Sequence, residues 1–118
     1  MDELERSLTE LAHRLEPEVQ SRLKGFLGGF LRAYLPQTWV FRTDTATASL
    51  TVDDAGHATV SPSALPNPDV TVEMPFDRLR AAIATRSPTP ELPKSASVTT
   101  HTAKGKAAFG YLRGRIGL

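Results

Sequence analysis

The stretch DVTVEMPFDRLRAAIATRS, residues 69–87, changes its rhythm halfway. Val70, Val72 and Met74 alternate with Thr71 and Glu73, the period-two pattern of a half-buried strand. After Pro75 the apolar residues Phe76, Leu79, Ala82 and Ile83 recur at helical spacing. A strand followed at once by an amphipathic helix implies a helix that folds back over the strand's apolar face.

The rest of the chain extends this pattern. Upstream, TWVFR (38–42) reads as a first strand. TATASLTV (45–52) alternates throughout, with Ala46, Ala48, Leu50 and Val52 on one face and Thr45, Thr47, Ser49 and Thr51 on the other. DDAGH supplies turn residues, and HATVS (57–61) returns as a third strand with Ala58 and Val60 inward. Pro62, Pro66 and Pro68 make a connecting loop before the fourth strand. Downstream, a proline-rich loop SPTPELPKS (87–95) leads to a fifth strand, ASVTTHT (96–102). A glycine-punctuated helix over 104–115 follows, carrying Ala107, Ala108, Phe109 and Leu112.

At the N-terminus Leu4, Leu8, Leu11 and Leu15 form one helical stripe, with Asp2 as its N-cap. Pro17 is read as the first position of a second helix. Val19, Leu23, Phe26, Leu27, Phe30, Leu31 and Tyr34 give that helix a broad apolar face, weakened by Gly25, Gly28 and Gly29. Leu35-Pro36 ends it.

Nearly every strand thus has one apolar face and one face of Thr, Ser and charge. The expected fold class is α+β: a five-stranded, mainly antiparallel sheet with helices packed on one face and water on the other. The 118 residues, with 40% hydrophobic and 23% charged, suit one globular domain. Within it, 1–35 would be N-terminal helices and 38–118 the sheet and C-terminal helices.

Composition excludes several functions. There is no cysteine, hence no disulfide, thiolate metal site or cysteine nucleophile. No apolar run reaches the ~20 residues of a membrane span. MDELERSLTE is not a signal peptide, and RIGL is not an organelle address. The expected location is cytoplasmic. His13, His57 and His101 lack metal-ligand spacing. His57 and Asp53 with Ser61 or Ser63 lack any nucleophile-elbow motif. No helix-turn-helix pattern is present, and the net charge of +1 argues against a nucleic-acid partner.

Over most of Trp39 to Leu118 the chain resembles a sterol-carrier-protein (SCP2-like) domain. The likeness rests on SLTVDDAGHATVS (49–61), NPDVTVEMPFDRLRAAIA (67–84), SASVTTHT (95–102), Gly105 and KAAFGYL (106–112), in that order. PKSAS (93–97) stands where the family usually has a glycine. The resemblance implies a non-catalytic lipid-binding carrier without cofactor or metal. A fatty acyl chain, acyl-CoA or sterol-like ligand would lie in an apolar tunnel between sheet and helices.

Candidates for the tunnel wall are Trp39, Leu50, Val72 and Met74 from the sheet. From the helices they are Phe26, Leu27, Phe30, Phe76, Leu79, Ile83, Phe109 and Leu112. Lys104, Lys106, Arg113 and Arg115 form an acid-free basic stretch suited to a lipid headgroup or a transient membrane contact. It also suits a solvated helix end, since cations favour a helix C-terminus. Periodicity does not distinguish a tunnel from a filled core. The alternative is therefore a filled-core protein–protein interaction module or homodimer with no ligand.

Overall fold

The computed structural model describes residues 2–25, 32–85 and 97–116. The expected α+β class is what it shows. In chain order the elements are α1 (Glu3–Leu23), β1 (Gln37–Arg42), β2 (Thr47–Val52), β3 (Ala58–Ser61), β4 (Val70–Glu73), α2 (Phe76–Thr85), β5 (Ser97–Thr100) and α3 (Ala103–Ile116).

The five strands form one sheet in the order β3-β2-β1-β4-β5. The β1–β2, β2–β3 and β4–β5 pairs are antiparallel. β1 and β4 are parallel, with Trp39 beside Val70 and Phe41 beside Val72. The short turns at residues 43–46 and 53–57 account for the antiparallel meander. In the second, the Asp53 carboxylate accepts from the backbone N–H of Ala55 and His57, both at 2.9 Å. Gly56 there has φ +85°, a left-handed conformation that side chains disfavour.

α1 begins as its sequence dictates, with Asp2 Oδ1 accepting from Glu5 N at 2.8 Å. It does not end at Pro17. One helix runs through that proline to Leu23, where two were expected. Pro17 leaves the carbonyl one turn behind it without a backbone donor, which costs about 3 kcal/mol. Burial offsets this, because Val19 continues the stripe of Leu4, Leu8, Leu11 and Leu15, and all five are buried. Each such side chain contributes roughly 1.5–3 kcal/mol relative to exposure. The continued helix packs across β2 and β3. Glu16 Oε1, next to the proline, accepts from Ala58 N at 3.1 Å and meets His57 Nδ1 at 3.2 Å.

α2 packs against α1 and α3, and α3 lies over β1, β4 and β5. All three described helices therefore share one side of the sheet. The core between the layers joins Leu4, Leu8 and Leu11 to Phe41, Val70, Val72, Phe76, Leu79 and Ile83.

The other side is less open to water than its Thr and Ser content implies. Val40 is 1% exposed and Ser49 0%. Residues 62–68, linking β3 to β4, cross this face. Ser49 Oγ donates to Ser63 O at 2.6 Å and accepts from Leu65 N at 3.0 Å. The connection has to cross, because two strands stand between the ones it joins.

Candidate functional site

The helical layer does not meet the sheet everywhere. A cavity of about 230 Å³ opens where α1, β1, β2 and α3 converge. α1 contributes Leu15 and Val19, and β2 contributes Leu50 and Val52. β1 places Gln37 and Trp39 on the floor, two residues apart and hence on one face. Tyr34 and Leu35, just before β1, and Ala107 and Ala108 of α3 complete the described lining. The two alanines are short, so this length of α3 reaches less far toward the sheet than Phe109 beside it. Phe109 does reach the sheet, with its ring centroid 6.2 Å from that of Trp39.

Gln37 is the buried polar member of the described wall, 4% exposed; Tyr34, which also carries a polar group, is 42% exposed. Its Nε2 donates to Tyr34 O at 2.6 Å and to Lys104 O at 3.0 Å. Its Oε1 accepts from Trp39 Nε1 at 3.0 Å. One side chain thus ties the segment before β1, the tryptophan ring and the start of α3 into a fixed frame. A buried amide left unpaired would cost roughly 1–3 kcal/mol, which is why the pairing is complete on the nitrogen side.

A second network anchors α3. Thr102 caps the helix, its Oγ1 accepting from Gly105 N at 2.9 Å. The same hydroxyl donates to Asp69 Oδ1 at 2.8 Å, while Asp69 Oδ2 accepts from Thr38 N at 2.9 Å. His101 N donates to the Asp69 carbonyl at 2.8 Å. Gly105 fits against that carbonyl so closely that an added Cβ would lie 2.8 Å from the carbonyl carbon and nearer still to the oxygen. Lys104 Nζ donates to Pro36 O at 2.6 Å and lies 3.7 Å from Asp69 Oδ1. Its ammonium therefore serves the scaffold.

The structure distributes the expected tunnel residues unevenly. Trp39 and Leu50 line the cavity. Val72, Met74, Phe76, Leu79 and Ile83 are buried in the core and do not belong to the described cavity wall. Phe109 is partly buried against Trp39. Phe26, Leu27 and Phe30 lie outside the described residues. Leu112, Arg113 and Arg115 fall on the later turns of α3, and Lys106 is exposed on its first.

Sequence reading did not single out Leu15, Val19, Tyr34, Leu35, Gln37, Val52, Ala107 or Ala108 for the site. Three of them carried a legible signal. Gln37 precedes Trp39 by one strand period, which places an amide on the apolar face. Ala107 and Ala108 sit beside Phe109, small next to large.

The other candidates have structural roles. The Asp53 carboxylate is occupied by its own turn, and the His57 ring meets Glu16 and Gln20 of α1. Among the described residues, no three His, Asp or Glu side chains gather where they would hold a metal ion. No described helix is long and apolar enough to cross a membrane.

No family model and no curated protein matches the chain. Among solved structures, the ubiquinone synthesis protein UbiJ-SCP2 superposes with a TM-score of 0.47 at 12% identity, covering 90% of this chain and 97% of that one. A double mutant of the sec-alkyl sulfatase PisA1 gives 0.47 at 22% identity, and the stereoselective inverting sec-alkylsulfatase Pisa1 from Pseudomonas sp. gives 0.45 at 21%. Each sulfatase comparison covers 64% of this chain, which spans 12% of the sulfatase's length.

Proposed function

We propose that the protein is a cytoplasmic, non-catalytic carrier of the sterol-carrier type that holds an apolar small molecule between its sheet and its helices. The observation supporting this reading is the cavity of about 230 Å³, walled almost wholly by apolar side chains. It is somewhat smaller than the roughly 300 Å³ at which pockets for drug-sized ligands begin. A guest there gains about 0.8 kcal/mol for each CH₂ taken from water. The cavity also weighs against the filled-core alternative, in which the two layers would interlock. Lys106, Arg113 and Arg115 are the residues for a transient contact with an anionic surface.

Native mass spectrometry of gently purified protein tests the reading. The expected result is an added mass that disappears on denaturation and is absent from Ala108→Trp, whose indole would occupy the cavity. A clean apo mass, with no apolar compound able to change the emission of Trp39, would refute it. Sedimentation velocity separates the alternative, which predicts a ligand-free dimer.

A further inference from the structure

We infer that the ligand is a neutral molecule of on the order of nine heavy atoms carrying a single hydrogen-bond donor, such as a medium-chain alcohol, and neither a fatty-acid anion nor a sterol. The inference rests on the carrier reading and narrows its ligand class through size, charge and polar complement.

Size comes first. A dry apolar cavity of about 150 Å³ is known to accept benzene, a molecule of six heavy atoms. At the same occupancy 230 Å³ takes about nine. A sterol has several times as many, and an acyl-CoA more again.

Charge comes second. Among the described residues no Lys, Arg, His, Asp or Glu lines the cavity. The nearest cation by connectivity is Lys104, whose backbone carbonyl touches Gln37, and its ammonium is bonded to Pro36 O and sits near Asp69. A carboxylate drawn into this wall would be an unpaired buried charge, so an acid would enter in its protonated form.

The polar complement comes third. Both N–H groups of the Gln37 amide are already donated, and its Oε1 accepts once, from Trp39. A carbonyl oxygen has two acceptor sites, which leaves one free on Gln37. One ligand O–H or N–H satisfies it.

The experiment uses Trp39, the single tryptophan of the full chain and part of the cavity wall, as its reporter. Bromine quenches indole emission on contact. Bromo-octanol and bromo-octanoic acid are titrated against the protein from pH 7 to pH 5, with a sterol as competitor. An acid whose carboxyl titrates like an unperturbed glutamate, near 4.3, is neutral in about one part in 500 at pH 7. The alcohol is therefore expected to quench at about 500-fold lower concentration than the acid at pH 7. The acid's affinity is expected to rise nearly tenfold for each unit the pH falls, with the alcohol unchanged. Any effect of pH on the protein itself would move both ligands together and is read from the alcohol.

Equal binding of acid and alcohol at pH 7, or a sterol that outcompetes the alcohol, overturns the ligand class while the carrier reading stands. If neither brominated ligand quenches Trp39 and the sterol alone leaves its emission unchanged, the carrier reading falls and takes this inference with it.

Discussion

Replacing Gly105 with alanine sets two large effects against each other. Gly→Ala inside a helix ordinarily stabilises by about 1 kcal/mol. At Gly105 the new methyl would lie 2.8 Å from the Asp69 carbonyl carbon, inside the 3.0 Å that real Cβ atoms respect. The obstacle is backbone, fixed by its own bonds. The Asp69 carbonyl accepts from His101 N at 2.8 Å, and Asp69 N donates to Thr38 O at 2.7 Å. The methyl therefore has to lift the first turn of α3 off the sheet. Overpacking of this kind costs roughly 1–3 kcal/mol. The lift also stretches the bond from Gln37 Nε2 to Lys104 O, now 3.0 Å, and the bond from Thr102 Oγ1 to Asp69, now 2.8 Å. Each contributes about 0.5–1.5 kcal/mol. The expected net is a loss of about 1–3 kcal/mol. With a urea dependence of roughly 1–3 kcal/mol per molar, this lowers the unfolding midpoint by on the order of 1 M. Gly110→Ala is the control, because a Cβ there meets nothing within 4 Å. It is expected to gain about 0.5–1 kcal/mol. If the two variants shift the urea midpoint in the same direction, the close seating of α3 on Asp69 is refuted.

Two other substitutions test neighbouring features. Pro17→Ala restores a backbone donor to the middle of α1 and is expected to raise stability by about 1–3 kcal/mol in the same urea assay, after the entropy a proline removes from the unfolded chain is discounted. A loss would show that the proline's geometry is required for the packing of Val19. Gln37→Leu strands Trp39 Nε1 and the Lys104 carbonyl, and is expected to cost about 1–3 kcal/mol and to change Trp39 emission. Wild-type stability and an unchanged spectrum would show that the amide does not hold the frame.

What could be read from the chain depended on whether the information was local. The Leu4–Leu8–Leu11–Leu15 stripe, the Asp2 cap, the alternation of Ala48, Leu50 and Val52, and the change of rhythm at Pro75 are all set by neighbours in sequence. The structure keeps each of them. The parallel β1–β4 pair is not local, because it joins Trp39 to Val70 across a stretch that contains two other strands. The break expected at Pro17 was a local preference overridden by tertiary burial. The site was the hardest part to read. Leu50 lines the cavity and Val72 is fully buried outside its described lining, yet both sit on the apolar side of an alternating strand. What separates them is the opposing layer: α1 packs over β2, and α3 over β4. That comparison needs the fold before it can be made.

For the proposed carrier, the connection over the sheet's far face decides which side a guest would use. Ser61, Ser49, Val40 and Thr71 stand in one row across four strands, and residues 62–68 run above that row, stitched to it through Ser49. Strands bound together like this resist being splayed. On the carrier reading the doorway then belongs to the helical storey, where Gln37 latches the Tyr34 carbonyl on one side to the Lys104 carbonyl at the start of α3 on the other.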